Sequence, residues 1–237
     1  MKNLKAYHGK PALKAKYLSR VRRHREADEL IKGQYWQHGK GCAVGCTLEG
    51  RFVTGGHDAY ETDLGIPVAL AHIEDNIFEN LPNAAAHLWP ERFLDAIRPG
   101  ADLTGVADKF MLAVLVDDQH GVWQVADERG KQAVDGVAAL LRRKIAGKTV
   151  TAEEWTAAAA RAYSAARASY AVRAARAYSA SAYAVRAARA SYAAIYAAEA
   201  AAHAAYAADS AAPAALAARY AARIWQADVL IAQLQAA

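Results

Sequence analysis

Between Thr151 and Ser210 the chain contains no glycine and no proline, and alanine is its commonest residue there. Alanine is the best helix former, whereas glycine and proline are the residues that usually end helices. Thr151 and Glu154 also have the spacing of a capping box, in which each side chain bonds a free amide near the other residue. The sequence therefore predicts one long helix over about 151–210, after which Pro213 starts a final helix over about 213–236.

The predicted long helix has an ordered surface. At about 100° per residue, six tyrosines fall on one stripe and most of the arginines lie on the other side. Alanine lets helices approach closely, and tyrosine rings then fill the remaining gaps. We therefore expect 151–237 to be an Ala/Tyr/Arg-rich arm that joins copies of the chain into a homo-oligomer. The tyrosines of the stripe are Tyr163, Tyr170, Tyr178, Tyr192, Tyr196 and Tyr206.

The front of the chain, residues 1–147, is predicted to be a compact helical domain, so the expected fold class is all-α. A first helix is expected from Pro11 to Lys32, because proline suits a first turn and glycine follows as a stop. The apolar run around 107–118 fits a buried helix or a buried strand by its pattern, and helix is preferred because no strand partner is evident. Trp89 and Phe93 are expected in the core.

Charge is distributed unevenly along the chain, whose formal net charge is +5. Residues 1–25 carry nine Lys or Arg and no acid, whereas residues 49–118 carry thirteen acids and four bases. Either the basic end folds back on the acidic middle, or it forms a patch for an anionic partner. The six arginines of 155–198 leave a third option, a protein- or nucleic-acid-binding module on the basic face of the arm.

Two features bear on the compartment. Only two cysteines are present, which is typical of proteins from a reducing compartment. The basic N-terminus lacks the apolar run of a signal peptide, and no stretch of about twenty residues is both apolar and uncharged. We therefore expect a cytoplasmic protein with no membrane partner.

The stretch Tyr35–Gly50, YWQHGKGCAVGCTLEG, is the best candidate for a site. Its glycines can adopt backbone shapes that point successive N–H groups at one spot, as in an anion-binding nest. The leading prediction is a non-catalytic binding protein for an anionic small ligand, most plausibly a nucleotide or a nucleotide-derived signal. No cofactor is expected, and no metal is assigned.

Each expected binding residue has a role. Main-chain donors come from the glycine-rich turn, positive charge from Lys and Arg, base stacking from an aromatic ring, and a further hydrogen bond from a histidine. The first helix and the loop around 57–60 are expected to complete the pocket. The expected ligand-binding residues are Arg25, Tyr35, Trp36, Lys40, Gly41, Cys42, Gly45, His57 and Tyr60.

Three other interpretations of this stretch stay open. Cys42 or Cys46 could be the nucleophile of a hydrolase or transferase, with His57 or His8 as base. An acid from Asp58, Glu74 or Asp75 would then orient the histidine. The same two cysteines, four residues apart, could hold zinc if His38 and His57 supplied the other ligands. Finally, the glycines could form a corner while the thiols pack in the core, where free cysteine is often found.

The chain also resembles a family of bacterial and phage proteins with Ala-rich helical tails. The resemblance rests on KYLSRVRRHREADEL followed by YWQHGKGCAVGC, then on HDAYETDLGIP, IEDNIFENLP and LWPERFLDAI. It covers residues 5–118 closely and the tail only in composition. The family has no settled activity, so no catalytic residue is transferred. The resemblance implies a cytoplasmic, phage-associated accessory protein, of a kind that often blocks host defence by binding a protein or sequestering a nucleotide signal.

Overall fold

The computed structural model describes residues 4–51, 56–171 and 213–237, and these are mostly helical, as expected for an all-α chain. Short helical turns cover Ala6–Gly9, Gly56–Asp58, Tyr60–Leu64 and Val122–Val125, and a small antiparallel hairpin pairs β1 (Trp36–Gln37) with β2 (Lys40–Gly41). The α-helices are α1 (Pro11–Glu26), α2 (Ala43–Leu48), α3 (Val68–Asn80), α4 (Asn83–Ala96), α5 (Val106–Val116), α6 (Glu128–Ile145), α7 (Ala152–Ala171) and α8 (Pro213–Ala236).

These elements pack into two compact units. The first unit contains the described residues up to Ala107 together with Tyr220–Ala237, and the second contains those from Asp108 to α7 and the start of α8. The last part of α8 therefore packs with the front of the chain. The domain boundary expected after Gly147 stays a prediction.

Helix α1 begins at Pro11 as predicted but ends at Glu26, six residues before the predicted Lys32. Asp28, with φ of 53°, lies in the left-handed region that no α-helix continues through. The chain then runs beside the glycine-rich stretch, where the Ile31 amide donates to the Gly41 carbonyl at 2.9 Å. The prediction was too long because this pairing with a later segment replaced the helical bonds.

The basic side chains of α1 are paired with acids from elsewhere in the first unit. Arg22 and Arg25 both bind the Glu91 carboxylate, at 2.6 and 2.5 Å. Arg20 binds Glu49 at 3.1 Å, and Lys14 lies 3.3 Å from Asp95. The basic N-terminal end thus folds back on the acidic middle of the chain. Fewer cations of this helix are therefore available to bind an anionic partner.

The core of the first unit lies between α1, α3 and α4. Trp89 and Phe93 of α4 are fully buried, as predicted, and Pro90 lies inside the same helix. Two buried aromatic residues of this core bond to main-chain carbonyls: the Trp89 indole donates to the Glu74 carbonyl at 2.9 Å, and the Tyr7 hydroxyl donates to the Leu94 carbonyl at 2.7 Å.

The second unit is built on α5, α6 and α7. The apolar run is helical, as preferred from the sequence. The predicted capping box is present: the Glu154 amide donates to the Thr151 hydroxyl at 3.2 Å, and the Thr151 amide donates to the Glu154 carboxylate at 2.8 Å. Small residues bring α6 and α7 together, since Ala133 and Ala162 are buried against each other.

The arm is described only in part. Residues 172–212, with four of the six tyrosines of the predicted stripe, lie outside the described residues, so the long helix and its role in assembly stay predictions beyond α7.

The final helix begins at Pro213 as predicted, and Leu230 and Leu234 are buried. Tyr220 and Ile224 of the same helix are exposed, at 39% and 42%. No helix in the described parts of the chain is long and apolar enough to span a membrane.

Candidate functional site

The glycine-rich stretch folds as a hairpin that leads directly into α2. His38 and Gly39 form the two-residue turn, and both have positive φ, at 51° and 82°. Two successive residues of this kind are typical of the tight turns that match the twist of a β-hairpin. After the hairpin, Cys42 precedes the first residue of α2. This local chain path places Cys42 at the end of β2, beside α3.

Two of the three expected main-chain donors are already used inside the protein. The Gly41 amide donates to the Glu29 carbonyl at 3.0 Å, and the Cys42 amide donates to the Gln34 carbonyl at 2.8 Å. Gly45 has a different role, because a Cβ atom at this position would lie 1.6 Å from the Tyr35 carbonyl oxygen. Glycine is therefore required there for close packing. Binding of an anion by this stretch stays a prediction, with fewer donors than expected.

The expected positive charges also have other contacts. Arg25 binds Glu91, and the Lys40 ammonium lies 3.5 Å from the Asp28 carbonyl at the protein surface. Trp36 packs edge-on against the His24 ring, at 5.4 Å between ring centres. Tyr60 is fully buried and donates to the Glu74 carboxylate at 2.6 Å.

Both thiols are buried and both have raised pKa values. Cys46 lies 3.4 Å from the Gly41 carbonyl, and burial raises its pKa to about 12. Burial also raises the pKa of Cys42, and the neighbouring Asp75 carboxylate raises it further. An activated nucleophile needs the opposite shift, since the thiolate is the reactive form. His57 does not contact either thiol as a base would; its Nε2 lies 3.3 Å from Asp75 Oδ2.

Cys42 instead belongs to a cluster of groups that can ligate a metal ion. Its sulfur and one carboxylate oxygen each of Asp75 and Glu79 all lie within 4.8 Å of one another. Asp75 and Glu79 are four residues apart on α3, so they project from the same face of the helix. Cys42 is buried and the two acids are partly exposed, so only the carboxylate side of the cluster faces solvent. We call these three residues the Cys–Asp–Glu cluster.

The surroundings of the cluster fix its two carboxylates. Both Glu79 oxygens accept from the Gly33 amide, at 2.8 and 3.0 Å, and burial raises the pKa of the Glu79 carboxyl. Asp75 Oδ2 faces His57, whereas Asp75 Oδ1 is buried without a well-formed hydrogen bond, and the Cys42 thiol is the neighbouring group that interacts with this carboxylate. A buried carboxylate oxygen without a well-formed hydrogen bond is costly unless something else satisfies it.

The imidazole rings of His57 and His72 stack on each other next to Asp75. The His57 and His72 rings are parallel, with centres 4.1 Å apart. Burial and the neighbouring His57 lower the pKa of His72 to about 4, so His72 is neutral at physiological pH. The Tyr35 ring lies 6.3 Å from His57, and its hydroxyl donates to the Arg51 carbonyl at 3.0 Å. These contacts hold the His57 ring in place.

Tyr35, Cys42, Gly45 and His57 are thus linked through shared contacts. The expected Arg25, Trp36 and Lys40 contact Glu91, His24 and the Asp28 carbonyl. The alternative zinc site of the sequence analysis combined Cys42 and Cys46 with His38 and His57, and the structure directs two of these side chains elsewhere. Cys46 points at the carbonyls of Glu29 and Gly41, and His38 is exposed at the hairpin turn. Glu79 was missed altogether; its signal was the spacing of four residues from Asp75 on a predicted helix.

Comparison with protein-family models, with curated proteins and with solved structures gave no match for this chain. The site is therefore argued from its own geometry and chemistry.

Proposed function

We propose that this protein binds one divalent transition-metal ion of the zinc class through Cys42, Asp75 and Glu79. The observation that carries the proposal is the mutual approach of one thiol and two carboxylates to within 4.8 Å. Three groups that are all anionic when they ligate a metal repel one another. A divalent cation between them removes that repulsion and satisfies the buried Asp75 Oδ1.

The dimensions and the donor types suit zinc. With Zn–S near 2.3 Å and Zn–O near 2.1 Å, a tetrahedral ion separates its ligand atoms by roughly 3.5 Å. Small side-chain rotations bring the three atoms of the cluster to that spacing. A thiolate donor favours zinc and related ions over magnesium and calcium, which prefer oxygen ligands only. The Cys42 thiol loses its proton when the metal binds, as metal-ligating thiols do.

The proposal is tested by titrating the metal-free full chain with Co²⁺ and with Zn²⁺. Cobalt bound to a thiolate gives a charge-transfer absorption band, and calorimetry gives the stoichiometry for zinc. We expect one ion per chain, with the band lost in Cys42→Ser. Cys46→Ser is the matched control, because it removes the other buried thiol and is expected to keep the band. Failure of the wild-type chain to bind either metal would overturn the proposal, as would equal losses in both variants.

The functions expected from the sequence have less support at this site. An anionic ligand such as a nucleotide would approach two carboxylates and find two of its three expected amides occupied. A cysteine-dependent hydrolase would use thiols whose pKa values are raised. The arginines that would serve a nucleic-acid- or protein-binding arm lie mostly outside the described residues. These functions, homo-oligomer assembly, and the phage-associated antagonism of host defence stay predictions.

A further inference from the structure

We infer that His57 is a positioning residue which holds Asp75 through Oδ2, and that the metal keeps a fourth position open to a neutral, imidazole-type nitrogen donor. This inference rests on the proposed metal site. It assigns a role to the imidazole beside the cluster, and it names the class of ligand that the site accepts.

The two oxygens of the Asp75 carboxylate have different surroundings, and this difference supports the role of His57. One oxygen faces His57 Nε2 at 3.3 Å, and the other is buried without a well-formed hydrogen bond. In metal sites a ligating carboxylate uses one oxygen for the ion while its other oxygen is hydrogen-bonded by a neighbouring group, which sets its orientation. Asp75 Oδ1 is therefore the atom for the metal, and Oδ2 is the atom for His57.

His57 is itself held away from the ion. Its ring stacks on His72 at 4.1 Å and lies 6.3 Å from the Tyr35 ring. Swinging the imidazole onto the metal would break the stack and leave Asp75 Oδ2 without its partner. His57 is also not among the groups that lie within mutual ligand distance of Cys42 and Glu79. The described part of the chain thus supplies three ligands, the number found in zinc sites that keep an open position.

Charge decides which ligands suit the open position. One thiolate and two carboxylates around a divalent ion leave a net charge of −1 on the centre, so a further anion is disfavoured. Lys32 keeps its positive charge near Glu79 and offsets part of this negative charge, but its ammonium donates to the Leu81 carbonyl and forms no ion pair with the carboxylates of the cluster. A neutral donor meets no such repulsion. Among neutral donors, an imidazole nitrogen binds zinc and cobalt well, and it would displace a bound water.

The experiment uses the full chain loaded with one equivalent of Co²⁺ and follows the visible absorption of the ion. Imidazole is titrated in one arm and inorganic phosphate in the other. We expect imidazole to shift the spectrum with saturation and phosphate to leave it unchanged at the same concentrations. An unchanged spectrum with imidazole, or an equal response to phosphate, would overturn the open neutral position while leaving the metal site itself intact. No cobalt binding at all would overturn the proposed function.

The role of His57 is tested with His57→Gln, using His87→Gln as the matched control, since His87 is a partly exposed histidine of α4 outside the cluster. We expect His57→Gln to weaken metal affinity by about 10- to 100-fold, as loss of an orienting partner does, while one ion still binds and the thiolate band persists. His87→Gln is expected to bind as wild type. If His57→Gln changes the cobalt spectrum as a lost nitrogen ligand would, or binds with unchanged affinity, the positioning role is wrong. Circular dichroism of the metal-free variants checks that both have folded.

Discussion

The Tyr35 carbonyl oxygen lies 1.6 Å from the place where a Cβ atom at Gly45 would stand. The two residues are ten positions apart, and their backbones touch because the chain just before β1 runs against α2 with no side chain between them. The same close contact fixes the start of α2, and with it the position of Cys42. Glycine at 45 is thus a requirement of packing, although its sequence context first indicated an anion-binding nest.

Gly45→Ala should destabilise the first unit strongly. The added methyl cannot be accommodated without moving the backbone at Tyr35, and overpacking of this kind costs about 1–3 kcal/mol or more. Denaturant unfolding of the full chain, followed by circular dichroism, measures the effect. The control is Gly136→Ala in the interior of α6, where the nearest atom to a new Cβ is the end of the Arg161 side chain at 3.9 Å. That change should stabilise α6 by about 0.5–1 kcal/mol, because alanine is the better helix former. Equal effects of the two changes would contradict the packing argument.

Tyr7→Phe should destabilise the first unit by about 0.5–1.5 kcal/mol, since it removes a buried hydrogen bond and leaves the Leu94 carbonyl with only the longer bond from the Ile97 amide, at 3.4 Å. Tyr7 is fully buried, and its hydroxyl donates at 2.7 Å. Tyr220→Phe, on the exposed side of α8, removes the same hydroxyl from a solvated position and should change stability by less than about 0.5 kcal/mol. Chemical denaturation of both variants provides the comparison. A neutral Tyr7→Phe would mean that the hydrogen bond contributes nothing.

The junction of α6 and α7 should lose stability in acid. A hydrogen bond from Arg143 lowers the pKa of Glu154, as does one from the Thr151 amide. A carboxyl whose pKa is lower in the folded state contributes stability above its unfolded pKa of about 4.3, and that contribution disappears as pH falls through the folded value. Thermal unfolding is measured from about pH 6 to about pH 3. The melting temperature of Glu154→Gln should therefore fall less over this range than that of wild type. Asp135→Asn, which removes a charge from the exposed face of α6, is the control and should retain the wild-type slope. Parallel curves for all three proteins would rule the contribution out.

Both thiols should react slowly in the native, metal-free protein. Cys42 is 2% exposed and Cys46 is fully buried, so a thiol reagent reaches them only when the structure opens. The labelling rate of each cysteine, measured by mass spectrometry after proteolysis, should rise by orders of magnitude when denaturant unfolds the first unit. Rapid labelling of Cys42 in the folded protein at neutral pH would instead favour a cysteine nucleophile at this position.

The sequence predicted the parts of this fold that depend on neighbours along the chain. Pro11 starts α1, Thr151 and Glu154 cap α7, Pro213 starts α8, and the all-α class follows from helical periodicity and composition. In each case the deciding interaction joins residues within one turn of helix, so the residue types determine it directly. The end of α1 was predicted wrongly because the chain after Glu26 bonds to residues near Gly41 and leaves the helix.

The Cys–Asp–Glu cluster depended on the tertiary structure. Cys42 comes from the start of α2 and both acids from α3, so their approach is set by the docking of two helices and by the close contact of Gly45 with Tyr35. The turn of α2 also decides which cysteine faces the acids, because it directs Cys46 toward main-chain carbonyls. Composition and spacing determined which groups were available for a site. Packing between segments far apart in the chain decided which of those groups meet, because a distance of a few ångströms across a core is not encoded in any local pattern.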